Sequence, residues 1–435
     1  MKPFPKKGDS VSVLGLGRSG MAAVEYFVQK GMRVYAYDDA PKSALAEQAS
    51  RLYAVGVPLF AGGEGELRGD FVFRSPAVRP DTPRLCRASL RGSVIFGEAE
   101  YFAAACPCPI YAVTGSDGKT TTASMLASLL ESTGKRVYLG GNIGRSLLPF
   151  LDGVSKQDLC VMELSSFQLM DFEAPVYVGL LTNLSPNHLN WHRDMKEYAA
   201  AKRRLLLLSH RRVLRQEVFG ALEGVRFSAN EDADYTVKGG VLFGRGVPLC
   251  RENEVRLSGR HNIENLLAAA AAAEDVVTPG AVRLLAKNFT GAPHRLERVC
   301  VTRGVCFYNS SIDTTPTRTA VSLSALSGRH EKIFLLLGGR EKGLSFEPLT
   351  DAVCQSGARP YLFGEAADAI GAALSAHGIA YTVADTMERA TQLAFADAKA
   401  GDAVLLSPAC TSFDAYADFE ARGEAFRYTV KTYCK

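Results

Sequence analysis

An apolar run, Ile110-Tyr111-Ala112-Val113, meets Thr114-Gly115-Ser116-Asp117-Gly118-Lys119-Thr120, and a helical pattern follows over 121–132. Strand, glycine loop and helix in that order leave few folds open. The glycines permit a tight turn, and backbone N–H groups at the helix start can wrap phosphates. Lys119 can neutralise the β- and γ-phosphates, and the Thr120 hydroxyl can ligate Mg²⁺. Val113 stands five residues before Gly118, where the standard phosphate loop has Gly, so this is a shorter T-G-x-x-G-K-T form.

A second glycine loop lies near the N-terminus. A strand over 11–14 runs into Gly15, Gly17 and Gly20 at G-x-G-x-x-G spacing, a helix follows over 21–30, and a strand over 34–37 ends in Asp38. Such glycines let the backbone approach a pyrophosphate, and the acid can take a ribose hydroxyl. A tight turn that only packs strand on helix is the alternative. Further strands are expected at 71–73, 159–162 and 178–181, and a helix over 263–273 whose six alanines favour close packing over disorder. Strands at 333–337, 361–363 and 403–406 mark a third segment. The pattern predicts three consecutive α/β domains over 1–97, 98–291 and 292–435. The first and last are Rossmann-like, and the central one resembles a phosphate-loop ATPase.

With 50 Lys plus Arg against 46 Asp plus Glu, the charge balance gives no argument for nucleic acid. Arg203, Arg204, Arg211 and Arg212 read as solvated helix faces. No apolar run is long enough to cross a bilayer, and MKPFPKKGDS has no apolar signal core, so a cytoplasmic protein is expected. Its ten cysteines read as reduced thiols filling cores, with Cys106-Pro107-Cys108 too tight for an ordinary zinc knuckle.

Further motifs follow in order: Gly140-Gly141-Asn142-Ile143-Gly144, Glu163-Leu164-Ser165-Ser166-Phe167-Gln168-Leu169, Asn183-Leu184-Ser185-Pro186-Asn187-His188-Leu189 and Ala201-Lys202. After them come His261-Asn262-Ile263-Glu264-Asn265, Pro293-His294-Arg295-Leu296-Glu297, Gly338-Gly339-Arg340-Glu341-Lys342-Gly343 and Ser407-Pro408-Ala409-Cys410-Thr411-Ser412-Phe413-Asp414. The set resembles the Mur ligase family over nearly the whole chain, and within it the branch that adds D-glutamate.

The resemblance implies a monomeric, ATP-dependent ligase of peptidoglycan precursor synthesis. It would join D-glutamate to UDP-N-acetylmuramoyl-L-alanine through an acyl phosphate. Lys119, His188 and Lys202 are then the catalytic residues. ATP falls to Gly115, Ser116, Asp117, Gly118, Lys119, Thr120, Thr121, Asn265 and Arg295. One Mg²⁺ falls to Thr120 and Glu163, and a second to His188 and a carbamylated Lys202. The UDP substrate falls to Gly17, Arg18, Ser19, Asp38, Asn142 and His188, and D-glutamate to Thr314, Lys342, Ser412 and Phe419.

Plainer readings stand beside these. Glu163 can be a surface carboxylate, His188 a solvated loop residue, and Lys202 part of an exposed basic helix face. Asn262 and Asn265 can be helix-start residues, and Arg295 a linker residue. The chain also departs from the family pattern. Ala77 replaces a common Gly, Asn187 and Asn190 replace acids around His188, and Ser310 replaces an Asp. Asp313 is the only acid near 310. It reads either as a stand-in one helical turn away or as a solvated loop acid. These departures motivate one rival, a non-catalytic nucleotide-binding relative. The first glycine loop alone motivates another, an NAD-dependent dehydrogenase.

Overall fold

The computed structural model describes residues 2–63, 65–142, 146–257 and 259–433, with Arg18 described in its backbone alone. The chain divides into two compact units, Met1–Phe289 and Thr290–Lys435. Among the described residues the first unit carries two sheets and the second carries one.

The first sheet holds β1 (Ser10–Leu14), β2 (Arg33–Tyr37), β3 (Leu59–Phe60), β4 (Phe71–Arg74) and β5 (Val94–Phe96). All are parallel, in the order β3-β2-β1-β4-β5. Strand order reverses at β1, so the loop after β1 opens between diverging connections, where such sheets bind ligands.

The second sheet holds β6 (Ile110–Thr114), β7 (Val137–Gly141), β8 (Leu159–Glu163), β9 (Val176–Leu181) and β10 (Ser209–Arg215). It continues through β11 (Val225–Ser228), β12 (Tyr235–Lys238), β13 (Val241–Gly244) and β14 (Val247–Arg251). The order is β14-β13-β12-β11-β10-β9-β6-β8-β7, and β13 runs antiparallel to both neighbours. Tyr111, Val113, Val161 and Val178 are almost wholly buried. Burial on both faces is why these strands read as apolar runs rather than as alternation. Ala268 to Ala273 are also buried, and their helix, Arg260–Ala272, packs on the helix Lys119–Glu131. Methyl side chains let the two backbones come close.

Two expectations are corrected. Arg211 and Arg212 lie on β10, not on a helix, and Arg211 pairs with Glu274 at 3.1 Å and Asp275 at 3.2 Å. The expected helices over 21–30 and 121–132 begin earlier, at Arg18 and Lys119, because Gly17 and Gly118 are themselves the N-caps.

In the second unit, β15 (Glu297–Thr302), β16 (Val305–Asn309), β17 (Ile333–Gly338), β18 (Arg359–Phe363), β19 (Thr382–Val383) and β20 (Ala403–Ala409) lie in the order β15-β16-β20-β17-β18-β19. Only β15 is antiparallel among these described strands. No helix among the described residues is long and apolar enough to cross a membrane. Among the described residues eight cysteines are free thiols, whereas Cys300 is disulfide-bonded, a departure from the expectation of reduced thiols throughout.

Candidate active site

β6 sits between β8 and β9, so the loop that follows it is flanked by Glu163 at the end of β8 and by Thr182 and Asn183 just beyond β9. Gly115 has φ +154°, and a Cβ there would lie 1.8 Å from Thr182 Oγ1. Gly118 is left-handed at φ +75°, and its Cβ would meet Asn265 Oδ1 at 2.4 Å. Both positions therefore demand glycine. The Thr182 hydroxyl donates to the Asp117 carbonyl at 2.6 Å, and the Asp117 N–H donates to Asn183 Oδ1 at 2.8 Å. Ser116 is buried between the Ser185 carbonyl and the Tyr198 hydroxyl, each at 2.9 Å. The loop is thus braced from outside. Gly118, the N-cap of the helix Lys119–Glu131, has no side chain to cap it, and the N–H groups of a first helical turn are where an anion can be held.

Lys119 Nζ curls back onto its own loop and donates to the Gly115 and Ser116 carbonyls at 2.9 and 2.8 Å. Thr120 Oγ1 donates to Glu163 Oε2 at 2.8 Å, and Asn142 Nδ2 donates to Glu163 Oε1 at 2.7 Å. Glu163 is 2% exposed, which rules out the surface-carboxylate reading. A buried carboxylate beside a hydroxyl is a hard-oxygen donor set that suits Mg²⁺. No cluster of three His, Cys, Asp or Glu residues able to hold a metal is found among the described residues. Phosphate oxygens and water would have to complete the shell, as Mg²⁺ usually requires. Asn265, also buried, accepts from Thr122 Oγ1 at 3.1 Å and donates to Asn262 at 3.3 Å. Ile143 and Gly144 of the loop after β7 lie outside the described residues.

Lys202 is the largest surprise against its plain reading. The helix Met195–Leu207 carries it, but the side chain faces inward and is 1% exposed, whereas Arg203 beside it is exposed. Its Nζ donates to the Gly115 carbonyl at 2.7 Å and lies 4.7 Å from the Tyr198 ring centre, and no carboxylate among the described residues forms a salt bridge with it. Burial and then the Lys119 charge lower its pKa to about 7, partly opposed by Glu163 and Asp117. His188 has a left-handed φ of 54° and packs against Phe167, ring centres 4.9 Å apart. Burial and the Lys119 and Lys202 charges lower its pKa, which favours a neutral imidazole. Asn187 accepts the His188 N–H at 2.8 Å, so this departure from the family pattern shapes the local turn.

Sequence reasoning missed the residue that ties this loop to the first sheet. Arg79 follows β4 and donates to Glu197 Oε1 and Oε2 at 2.9 and 3.2 Å and to the Trp191 carbonyl at 2.6 Å. Its guanidinium lies 4.8 Å from the Trp191 ring centre, and Trp191 Nε1 donates to the Ala77 carbonyl at 3.3 Å. Hydrogen bonds from Arg79 hold the Glu197 carboxyl down to about 2. Arg79→Ala should cost about 1–3 kcal/mol, the usual scale for charge-assisted hydrogen bonds. It should also shift the emission of Trp191, the only tryptophan. In the unaltered protein, Mg²⁺, nucleotide or UDP substrate should move that emission as well. Thermal melts and fluorescence spectra check both, and an unchanged melt and spectrum in the variant would show the contact to be idle.

At the first sheet's crevice, the Asp38 carboxylate accepts from the Leu16 N–H at 2.7 Å and the Ala40 N–H at 2.9 Å, so it shapes the glycine loop. A Cβ on Gly20 would strike the Gly15 carbonyl at 1.9 Å, whereas Gly17 faces open space. Ser19 Oγ donates to Glu98. The Arg18 side chain lies outside what is described.

In the second unit, the carboxyl ends of β16, β17 and β20 bring Thr314, Lys342 and Ser412 to one edge of the sheet. Lys342 Nζ donates to Thr314 Oγ1 at 3.1 Å, Ser412 is buried, and Phe419 opens the last helix. Arg422, wholly buried and unannounced in the sequence, binds these segments together. It donates to the carbonyls of Ser311 at 3.0 Å, Cys410 at 3.1 Å and Thr411 at 3.0 Å, and burial lowers its pKa to about 10. Arg295 is exposed.

Ser310 and Asp313 are both buried, and Asp313 is not the solvated acid of the plainer reading. Asp313 Oδ2 accepts from Ser322 Oγ at 2.6 Å and Ser407 Oγ at 2.8 Å, while burial raises its pKa. Asp313→Ala should destabilise the protein by about 1–3 kcal/mol, because two buried hydroxyls lose their acceptor. Asp313→Asn keeps an acceptor oxygen. The raised folded-state pKa gives a stability contribution that is full below the ordinary carboxylate range and fades as pH rises through the folded value. Urea unfolding from acid to neutral pH should show that fade in the wild type and not in Asp313→Asn. Identical pH dependence in both would refute it.

Residues 113–216 match the Mur ligase middle domain, and residues 294–410 match the Mur ligase, glutamate ligase domain. The UDP-N-acetylmuramoylalanine–D-glutamate ligase of Ruminiclostridium cellulolyticum is 34% identical over 98% of this chain and 97% of its own. That of Symbiobacterium thermophilum is 37% identical over 98% of each. Among solved structures, the UDP-N-acetylmuramate-alanine ligase of Thermotoga maritima aligns over 98% of this chain and 99% of its own, with a TM-score of 0.53 at 18% identity. These matches span both units and all three sheets, and the chain belongs to the Mur ligase family, in the branch of the UDP-N-acetylmuramoylalanine–D-glutamate ligases.

Proposed function

We propose that this chain joins D-glutamate to UDP-N-acetylmuramoyl-L-alanine at the expense of ATP, in the cytoplasm and as a monomer. The observation that carries the reading is the phosphate loop itself: Lys119, Thr120 and buried Glu163 converge at the carboxyl end of β6. A carboxylate is a poor electrophile, so an amide ligase must first give it a leaving group. The γ-phosphoryl group of ATP passes to the alanyl carboxylate and leaves ADP. The amine of D-glutamate then attacks the acyl phosphate, and inorganic phosphate leaves from the tetrahedral adduct with loss of a proton.

In this reading residues 1–97 bind the UDP sugar through Gly17, Arg18, Ser19, Asp38, Asn142 and His188, the last two supplied by the neighbouring domain. Residues 98–291 bind ATP through Gly115 to Thr121 and Asn265, with Arg295 as a further contact. Residues 292–435 bind D-glutamate through Thr314, Lys342, Ser412 and Phe419, with the Lys342 ammonium pairing a carboxylate. Lys119 leaves its loop carbonyls to meet the transferring phosphoryl group. Thr120 and Glu163 would hold one Mg²⁺, and His188 with carbamylated Lys202 a second. Bound there, the ions would supply positive charge to the phosphoryl oxygens.

Phosphate release tests the reading. It should require ATP, Mg²⁺, UDP-N-acetylmuramoyl-L-alanine and D-glutamate together. Better turnover with L-glutamate, L-lysine or meso-diaminopimelate would overturn the choice of amino acid.

A further inference from the structure

The reaction leaves Cys106-Pro107-Cys108 unused. These residues join the helix Glu98–Ala105 to β6, and this connection is where the chain passes from the first sheet to the second. Cys106 Sγ lies 3.5 Å from Cys108 Sγ. Cys106 is partly exposed and Cys108 is buried. Cys160, fully buried on β8 and paired in register with Ile110, stands behind them.

We propose that Cys106 and Cys108 form a dithiol modification site that peroxides oxidise to an intrachain disulfide. The Cys106 thiolate attacks the peroxide O–O bond, becomes a sulfenic acid and releases water. The Cys108 thiol then attacks that sulfur and a second water leaves, so two thiols and one hydrogen peroxide give one disulfide and two waters. Proximity makes the second step fast, since the sulfurs need only close to bonding distance. The geometry also assigns the order of attack. Only Cys106 is open to solvent, and hydrogen bonds from the Cys108 and Cys160 thiols lower its pKa. Low pKa and access together mark the reactive member of such a pair.

Hydrogen peroxide on the reduced, full-length protein tests this, with alkylation, trypsin digestion and mass spectrometry of the peptide spanning 92–119. That peptide carries no cysteine besides these two. It should lose two hydrogens about tenfold faster than exposed Cys86 and Cys354 oxidise, and dithiothreitol should restore it. Cys108→Ser should abolish the disulfide and leave Cys106 progressing to sulfinic acid. Cys160→Ala should slow Cys106 oxidation, whereas Cys160→Ser, which keeps a donor, should not. Two alkylatable thiols persisting after Cys86 has oxidised, or a Cys106–Cys160 cross-link instead, would overturn the proposal.

Discussion

Lys119→Ala should lower phosphate release by about 10³-fold or more, the scale of losing a charged group that meets the transferring phosphoryl. The fold should survive. Lys119 Nζ donates to two carbonyls of its own loop, and the loop's shape is held elsewhere. Thr182, Asn183 and the Ser116–Tyr198 contact brace it from neighbouring segments. Thermal unfolding of the variant should therefore stay close to wild type while turnover collapses. Lys119→Arg should rescue little, because a planar fork replaces a compact ammonium in a cradle sized by Gly115 and Gly118. Retained turnover in Lys119→Ala would remove the phosphate loop from the reaction. A collapsed melt would instead make Lys119 a structural residue.

Lys202→Ala should lower activity on the order of 10²-fold or more, with partial recovery in formate, acetate or propionate. A buried ammonium beside Lys119, with no acidic partner among the described residues, is an expensive arrangement. Carbamylation would convert it into an anionic oxygen donor facing the loop over 114–120, the class of ligand Mg²⁺ prefers. Small carboxylates should enter the space left by the truncated side chain and supply that oxygen. Growth or dialysis in ¹³C-bicarbonate should give the wild type a carbamate carbon resonance that Lys202→Ala lacks. Lys202→Met, which fills the volume without an amine, should be inactive and respond less to carboxylates. An active, metal-loaded enzyme with an unmodified amine, or a truncated variant indifferent to carboxylates, would refute the modification.

Local patterns were legible in the sequence to different degrees. The glycine loop over 114–120 was, because backbone geometry there imposes glycine at fixed offsets, and an ammonium (Lys119) and a hydroxyl (Thr120) follow at once. The strands from β10 to β14 were not. β11 to β14 have only four or five residues each, β13 runs antiparallel, and in β10 Arg211 and Arg212 interrupt the apolar rhythm, Arg211 pairing with Glu274 and Arg212 donating to the Leu206 carbonyl. Lys202 shows the limit of reading neighbours. Beside Arg203 and Arg204 it looks like part of a solvated face, yet helical rotation turns it inward. Asp313, open to reading as a stand-in for an acid at 310 or as a solvated loop acid, is an internal acceptor for the hydroxyls of Ser322 and of Ser407 far along the chain.

The class of fold, the glycine loop over 114–120 and, through the ordered motifs, the family could be read from the residues alone. Those are local or strictly ordered signals, set by backbone sterics and hydrophobic period. Which partners the candidate side chains meet follows instead from how the strands and helices pack. Strand order around β6 sets Glu163 against Thr120, and inward rotation sets Lys202 against the Gly115 carbonyl. Arg79 and Arg422 acquired their roles the same way, each clamping segments distant along the chain. Such roles leave no spacing rule behind, because a guanidinium or carboxylate is defined by what the fold brings within hydrogen-bond reach.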